Sequence, residues 1–485
     1  MSGPAVAVAG VCETAPPAGY LPPELLAMAG ELYRLRQAGA AGKTFVELEW
    51  AVLGVTLKMG QWTIKTSLQA HPLARPEEEH ICPRCGRRFR ILREAQHREL
   101  GSRLGPVSYN RPYGTCDHCK LSGAPMDWEL GLSSDVNVSI GLLERVCHAA
   151  VVGRSFEDAY EIMRIHDMVD LSAEQIRALA ESEGRRLAEL RALDVKAYRE
   201  NGLQAQCSES PELLVICADG GRVQTRQEKH TERWKENKVG VVYDATARPQ
   251  QPCVKRGEYQ GAKAKTKTYA ATMQPWEAFG WMLRVEADQR GYMKAGTKLF
   301  LADGAKHIRD MKELQFPEAT FILDWAHAAE HVSACAKAAF GEGSAEAKDW
   351  YLKHCEMLWK GECDELIADI QKLAEDLGPV KDGEEEDSPR RILRQNAYSY
   401  FPNNKDAIDY PAFRAHGWPI GSGVVEAGVK QFAVRMKGSE KFWNIGGDDT
   451  ETGAEEMLAL CALYRCEDGR WQRYWQQRGQ PRKWK

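Results

Sequence analysis

Two cysteine pairs, Cys82-Pro-Arg-Cys85 and Cys116-Asp-His-Cys119, constrain the fold of this chain more tightly than any other feature. Each pair can place two thiolates on one turn of backbone, and four thiolates complete a tetrahedral zinc site. Four protein ligands leave no open position, so one structural Zn2+ is expected. The alternative is four buried or free thiols. The thirty residues between the pairs exceed a common ribbon spacing, so the loop must be elaborated. Phe89–Tyr113, broken by Gly101, Gly105 and Pro112, suits short strands and turns. His97 and His118 are spare nitrogens nearby, expected to be exposed or to contact phosphate. The 14 cysteines are spread thinly over 485 residues, which excludes a disulfide scaffold.

At roughly 100–200 residues per domain the length implies two to four domains. The composition, 43% hydrophobic and 28% charged, is that of an ordinary soluble chain and excludes a disordered or fibrous one. The longest apolar runs, such as Met457–Tyr464, fall far short of the ~18 residues that span a bilayer. No basic secretory start precedes the short Ala-rich N-terminal stretch. The expected location is therefore intracellular, in the cytoplasm, with no membrane partner. Net charge is −4, which does not announce a nucleic-acid binder, but the distribution is uneven. Cys82–Lys120 carries nine Lys/Arg against three Asp/Glu, and Asp219–Ala270 carries twelve against six. Two basic blocks in an acidic chain fit either a local polyanion footprint or a pair of solvated faces.

Pattern along the chain gives the following organisation. Residues 1–20 are expected to be a disordered tail and 21–80 a helical region, with Thr44–Leu68 broken near Gly60. A zinc-ribbon-like module spans 81–125. A helical region follows over 126–205, in which Ser172-Ala-Glu-Gln175 is a capping box. Its helices read as a helical hairpin or a DNA-binding helix-turn-helix. From 211 short apolar strands appear: Leu213–Ala218 ending in Asp219-Gly220, Val239–Tyr243, Thr266–Ala271, Lys298–Ala302 ending in Asp303-Gly304, and Ala319–Leu323 ending in Asp324. Three strands followed by alternating helix and strand predict a mixed α/β sheet over 211–340, the order of an RNase H-like fold. A helical, acidic stretch covers 341–415. Residues 416–485 supply helix Ile420–Lys437 and a closing helix Glu451–Gln477.

Carboxylates at strand ends sit on rigid elements and can share one edge. Asp219 and Asp303 could hold divalent metals for phosphoryl transfer, with Glu426 as third ligand and Lys430 one turn beyond it. Taken singly, an Asp-Gly is more often just a turn. Asp324 is the rival to Asp303. In Asp324-Trp-Ala-His327 the Asp and His share a helix face and could assist a metal, or the Asp could be a helix N-cap. Arg222, Arg226, Lys229, Arg233 and Trp234 could track a phosphate backbone, as could Arg435, Lys437 and Trp443 beyond Glu426. Solvation of both clusters is the simpler alternative.

From Cys82 onward these motifs together resemble ISKra-type bacterial insertion-sequence transposases, DDE enzymes distantly akin to Mutator-like transposases. The resemblance rests on the Cys pairs with Leu104-Gly-Pro-Val-Ser-Tyr-Asn-Arg-Pro-Tyr113, on Ala218-Asp-Gly-Gly-Arg222, on Leu301-Ala-Asp-Gly-Ala305, on Ile322-Leu-Asp-Trp-Ala-His327, and on Gly421-Ser-Gly-Val-Val-Glu426 with Arg435-Met-Lys437. It implies an RNase H-like catalytic domain with an all-helical insertion and a metal triad of Asp219, Asp303 and Glu426. It implies two Mg2+ or Mn2+ ions, an Asp-x-x-His motif at Asp324 and His327, and double-stranded DNA as partner. It also implies a homodimer or higher assembly on DNA, near the bacterial nucleoid. The expected activity is cutting of element ends and joining of 3′-hydroxyls to target DNA. The alternatives are a domesticated, catalytically idle DNA-binding protein, or a metal-dependent nuclease that never joins strands.

Overall fold

A computed structural model of the chain describes residues 22–39, 42–167, 169–201, 210–226, 233–249, 254–444 and 453–481. The expected tail 1–20 and Lys229 lie outside the described residues. Two compact units form: one from Met1–Glu144, Asp167–Val169 and Gln476–Lys485, the other from Arg145–His166 and Asp170–Trp475. Among the described residues each is built from helices and one sheet. No helix among the described residues is long and apolar enough to cross a membrane.

In the first unit, helices Pro23–Ala38 and Phe45–Ala70 precede a three-stranded antiparallel sheet, β1 (Arg90–Ser102), β2 (Gly105–Thr115) and β3 (Ser122–Gly123). Thr44 and Glu47 form a capping box at the second helix, each satisfying the other's backbone N–H. That helix runs unbroken through Gly60, correcting the expected break. The small residue serves packing instead, because a Cβ there would lie 2.7 Å from Leu104 Cδ1. Under the sheet, Asp127 is 6% exposed and binds Arg98 Nη1 at 2.7 Å, Arg111 Nε at 2.8 Å and Tyr109 Oη at 3.0 Å. A buried carboxylate needs such partners, because an unpaired one costs several kcal/mol.

In the second unit the sheet runs in the order β6-β5-β4-β7-β8: β4 (Leu213–Gln224), β5 (Trp234–Thr246), β6 (Lys263–Thr272), β7 (Thr297–Ala302) and β8 (Thr320–Leu323). The first three strands are antiparallel, and β7 and β8 run parallel to β4. The strand expected to stop at Ala218 continues to Gln224. Its edges have different partners: pairing with β7 ends at Cys217, while pairing with β5 persists to Gln224.

Helices cover both faces of this sheet. A Cβ on Gly240 would meet Leu283 and Phe279 of helix Trp276–Gln289, while one on Gly428 of helix Gly423–Met436 would meet Tyr269. Tyr269 pairs with Val241, and successive strand residues point to opposite faces, so the two helices lie on opposite sides. Among the described residues every element between 341 and 415 is helical.

The expected closing helix is two, Gly453–Arg465 and Arg470–Arg478. The break docks on β6: Glu467 N–H donates to Lys267 O at 2.9 Å, and Lys267 N–H returns to Glu467 Oε2 at 3.1 Å. Helix Ala173–Arg199, a candidate recognition helix, is committed to packing. Its residues Ile176, Ala180, Glu181, Glu183 and Gly184 are buried, and Gly184 lies against the backbone of Glu456.

A Cβ at Gly184 would stand 2.3 Å from Glu456 O, a backbone atom that cannot swing aside. Gly184→Ala should therefore cost about 1–3 kcal/mol of overpacking and lower the melting temperature. Gly30→Ala, in a helix with nothing within 4 Å, should instead be neutral or stabilising by up to about 1 kcal/mol. Thermal unfolding of the two variants beside wild type checks both signs.

Candidate functional site: a cysteine cluster and a row of aspartates

The two cysteine pairs fold as matching turns. Cys82 N–H donates to Arg87 O at 2.7 Å and Gly86 N–H to Cys82 O at 2.9 Å. Cys116 N–H donates to Leu121 O at 2.8 Å and Lys120 N–H to Cys116 O at 2.9 Å. The residue after each second cysteine has positive φ, Gly86 at 69° and Lys120 at 60°. The two turns bring all four sulfurs within 4.8 Å of one another. Cys82 Sγ lies 3.5 Å from Cys119 Sγ, and Cys85 Sγ 3.5 Å from Cys116 Sγ.

A tetrahedral zinc with Zn–S of about 2.3 Å spaces its sulfurs by about 3.8 Å, so the cluster fits that ion closely. The N–H groups of Cys119 and then His118 hold the Cys116 thiol below its usual range, while burial and its sulfur neighbours hold Cys85 above its own, so Cys116 is the first of the set to give up its proton. A deprotonated thiol is the form a metal binds. Phe89 and Trp128, edge-to-face at 5.6 Å, close the cluster from the interior with Cys82 and Cys116.

In the second unit the aspartates form a row. The β4–β7 register pairs Cys217 with Leu301, an offset of 84, which makes Asp219 the counterpart of Asp303 two residues on. The β7–β8 register pairs Ala302 with Leu323, an offset of 21, which makes Asp303 the counterpart of Asp324. Three adjacent parallel strands thus carry an aspartate at equivalent positions on one edge, with strands about 4.8 Å apart. Asp219 pairs with Val239, so it shares the face of Val241 and Tyr269, on which helix Gly423–Met436 and its Glu426 lie.

The members of the row differ in environment. Asp324 is 0% exposed and is the N-cap of helix Trp325–Phe340. Its Oδ1 accepts His327 N–H at 2.9 Å, and its Oδ2 accepts the N–H of Ser422. Ser422 Oγ in turn donates to Glu426 Oε1 at 2.9 Å. Asp324 is thereby occupied in holding the start of the Glu426 helix against the sheet. Asp219 and Asp303 are only half-buried. Asp303 Oδ1 accepts Ala305 N–H at 2.9 Å across a turn in which Gly304 has φ 78° and sits against Leu323 and Asn404.

Burial pushes the Asp219 carboxyl above the usual range. The Gly220 N–H offsets part of that, Asp303 raises it further, His327 lowers it, and Glu426 adds a last upward push. Asp219 therefore feels both other carboxylates. Hard carboxylate oxygens suit Mg2+ or Mn2+. Among the described residues their ligand atoms do not converge as the cysteine sulfurs do. A cation here would complete its shell with water, as Mg2+ normally does.

Several partners carried no local sequence signal. Tyr400 Oη donates to Asp303 O at 3.2 Å and its ring stacks on His331 at 3.5 Å, while His331 Nδ1 lies 2.7 Å from Asn396 Oδ1. Burial lowers the His331 pKa. Asn396–Tyr400 is a single π-helical turn, a feature frequent at functional sites. Ser422 stood in plain view in Gly421-Ser-Gly423, but only its spatial partners reveal its task.

The expected phosphate-tracking residues separate. Arg222 and Arg226 are exposed on β4 and beside it, Arg233 is intermediate, Trp234 is 44% exposed, and Lys437 is exposed. Lys430 is exposed and stands 3.8 Å from Glu426. Arg435 and Trp443 do not belong to such a surface. They are 2% and 7% exposed, Arg435 Nε donating to Ala150 O at 2.6 Å and Trp443 Nε1 to Met436 O at 2.8 Å.

Cys82→Ser should abolish stoichiometric zinc in the purified protein, measured by metal analysis, because three thiolates cannot close the site. Unchanged zinc content would remove the assignment. Asp219 gives a second expectation. A folded-state acid pKa above the unfolded one means that the penalty of the charged form is present above the folded value and vanishes as pH falls below the unfolded one. Asp219→Asn should therefore raise the melting temperature at neutral pH in metal-free buffer. That advantage should shrink as pH falls through the carboxylate range, as melting curves at successive pH values would show.

No curated protein matches the sequence. The model of an uncharacterised protein family, UPF0236, matches residues 42–340. That span takes in both cysteine pairs, all three aspartates and His327, and it stops short of Ser422 and Glu426. Because it covers more than half of the chain, the protein belongs to the UPF0236 family.

Proposed function

We propose that the protein is a DNA transposase of the DDE class, built on an RNase H-like core, that cuts element ends and joins the freed 3′-hydroxyls to target DNA. One observation carries the reading: aspartates at equivalent positions on adjacent parallel strands, faced by a glutamate on a helix that a buried aspartate ties to the same edge. The strand order, three antiparallel strands followed by two parallel to the first, supports it as the order expected of that core.

In this reading Asp219, Asp303 and Glu426 hold two Mg2+ or Mn2+ ions. When bound, such ions offset charge on the attacking and leaving oxygens of an in-line displacement. The chain's own groups do the rest. Asp324 and Ser422 restrain Glu426 at the start of its helix. Lys430, 80% exposed, can leave Glu426 for a phosphate oxygen. His327, whose Nδ1 is 3.4 Å from Glu330 Oε2, can exchange a proton at Nε2 with a nearby hydroxyl. In this reading the exposed Arg222, Arg226, Trp234 and Lys437 are candidate contacts to the DNA backbone. The cysteine module, with its basic β1–β2 hairpin, is assigned to recognition of element ends, and pairing two ends calls for at least a dimer.

The test is strand transfer from DNA flanking the gene, with Mg2+, comparing wild type with Asp303→Ala. Loss of a metal ligand should remove several kcal/mol of transition-state stabilisation, about 1,000-fold or more in rate. Joined products that vanish in the variant support the reading. Cleavage without joining would make the protein a nuclease. DNA binding with neither reaction, and no dependence on Mg2+, would make it a recognition protein with an idle site.

A further inference from the structure

A cavity in the second unit lies between the start of helix Phe156–Ile162, the first turns of helix Ala173–Arg199, and the segment Glu440–Asn444. Arg435 lines it, almost fully buried. Its guanidinium carbon lies 4.2 Å from the ring centre of Phe156 and 5.2 Å from that of Trp443. Nε is satisfied by Ala150 O, but Nη2 is buried with no hydrogen-bond partner among the described residues. No ion pair to Arg435 occurs within 4.0 Å among those residues either. Burial disfavours its charge and the Glu181 and Asp158 carboxylates offset that only from a distance, so this guanidinium has donor capacity left for an anion.

The surroundings have the same sign. Lys441 lines the cavity, and its Nζ donates to the backbone carbonyls of Val434 and Arg435, at 3.1 and 3.2 Å. Arg226 stands exposed at the rim, pinned by its own N–H to Trp443 O at 2.9 Å. Among the described residues the lining also carries Arg177, which is paired with Glu174 and, at 3.6 Å, with Glu181, leaving Arg226, Arg435 and Lys441 against Glu440. This unpaired positive charge around the cavity suits an oxyanion. The flanking aromatic rings hold the guanidinium in one plane, which keeps its donor fork pre-organised for an oxyanion.

We infer that this cavity is a binding site for a phosphoryl group, with Arg435 as its buried donor and Arg226 and Lys441 guarding its mouth. The site is separate from the carboxylate row and does not depend on the function proposed above. The group can arrive as free phosphate or a phosphomonoester, or as part of a nucleic-acid chain.

The experiment is calorimetric titration of the full-length, zinc-loaded protein with inorganic phosphate at low salt. One saturable site is expected. Arg435→Gln should weaken it by about tenfold or more, the scale of a lost hydrogen bond to a charged group. If that variant melts early, Arg226→Gln with Lys441→Gln, nearer the surface, serves in its place and should weaken binding severalfold. A DNA duplex added as competitor distinguishes the sources. Displacement of phosphate by duplex assigns a nucleic-acid phosphate, and phosphate binding indifferent to duplex assigns a free one. Asp303→Ala should bind phosphate as wild type does, whatever it does to strand transfer. Absence of saturable binding, or equal affinity in wild type and the Arg226/Lys441 double variant, overturns the assignment.

Discussion

The second unit depends on one buried carboxylate. Asp324 is fully excluded from solvent, and backbone N–H groups of His327 and Ser422 satisfy its two buried oxygens. Those donors belong to the first turns of two helices whose starts are almost 100 residues apart in sequence. Each is a group that a helix leaves unsatisfied at its N-terminus, so one side chain caps two helices and ties both to the end of β8. The Ser422 hydroxyl carries the constraint to Glu426. The position of Glu426 on the Asp219 face of the sheet is thus a consequence of where Asp324 finds its hydrogen bonds.

The helices between β8 and Ser422 reinforce that edge. Parallel strands that stop together leave carbonyl groups without a ladder partner. Two tyrosines of the helical stretch meet them: Tyr400 Oη donates to Asp303 O at 3.2 Å and Tyr410 Oη to Leu323 O at 3.1 Å. Arg309 adds a bridge from helix Lys306–Gln315 to Asn404 at 2.7 Å and to Asp406. The helical stretch is therefore a brace on the turns that carry the aspartates. In the first unit the same economy recurs with opposite charges, where Asp127 gathers Arg98, Arg111 and Tyr109 beneath the sheet that carries the cysteine turns.

Much of this architecture was legible from local pattern. Helix Trp325–Phe340 and helix Ser172-Ala-Glu-Gln175 onward start where their caps stand, because a cap is satisfied within three residues. The cysteine pairs assemble as spacing demands, since each turn is fixed by two local hydrogen bonds. Misreadings arose where distant contacts decide. Gly60 read as a break, yet it is a seat for Leu104. Glu451–Gln477 read as one helix, yet its middle turns aside to pair with β6. Arg435 and Trp443 read as surface, because an arginine beside lysines in sequence gives no sign that it will be enclosed by aromatic rings.

The sequence by itself determined which residues could do chemistry and which segments would be strand or helix, because side-chain type and periodicity act over a few residues. Only the tertiary structure decided which of those residues meet. Strand register aligned Asp219, Asp303 and Asp324. A hydrogen bond across 98 residues separated the bracing aspartate from the two that remain partly open, and a contact across 285 residues buried Arg435. Register and burial are set by packing between elements far apart in the chain, and no local pattern encodes them.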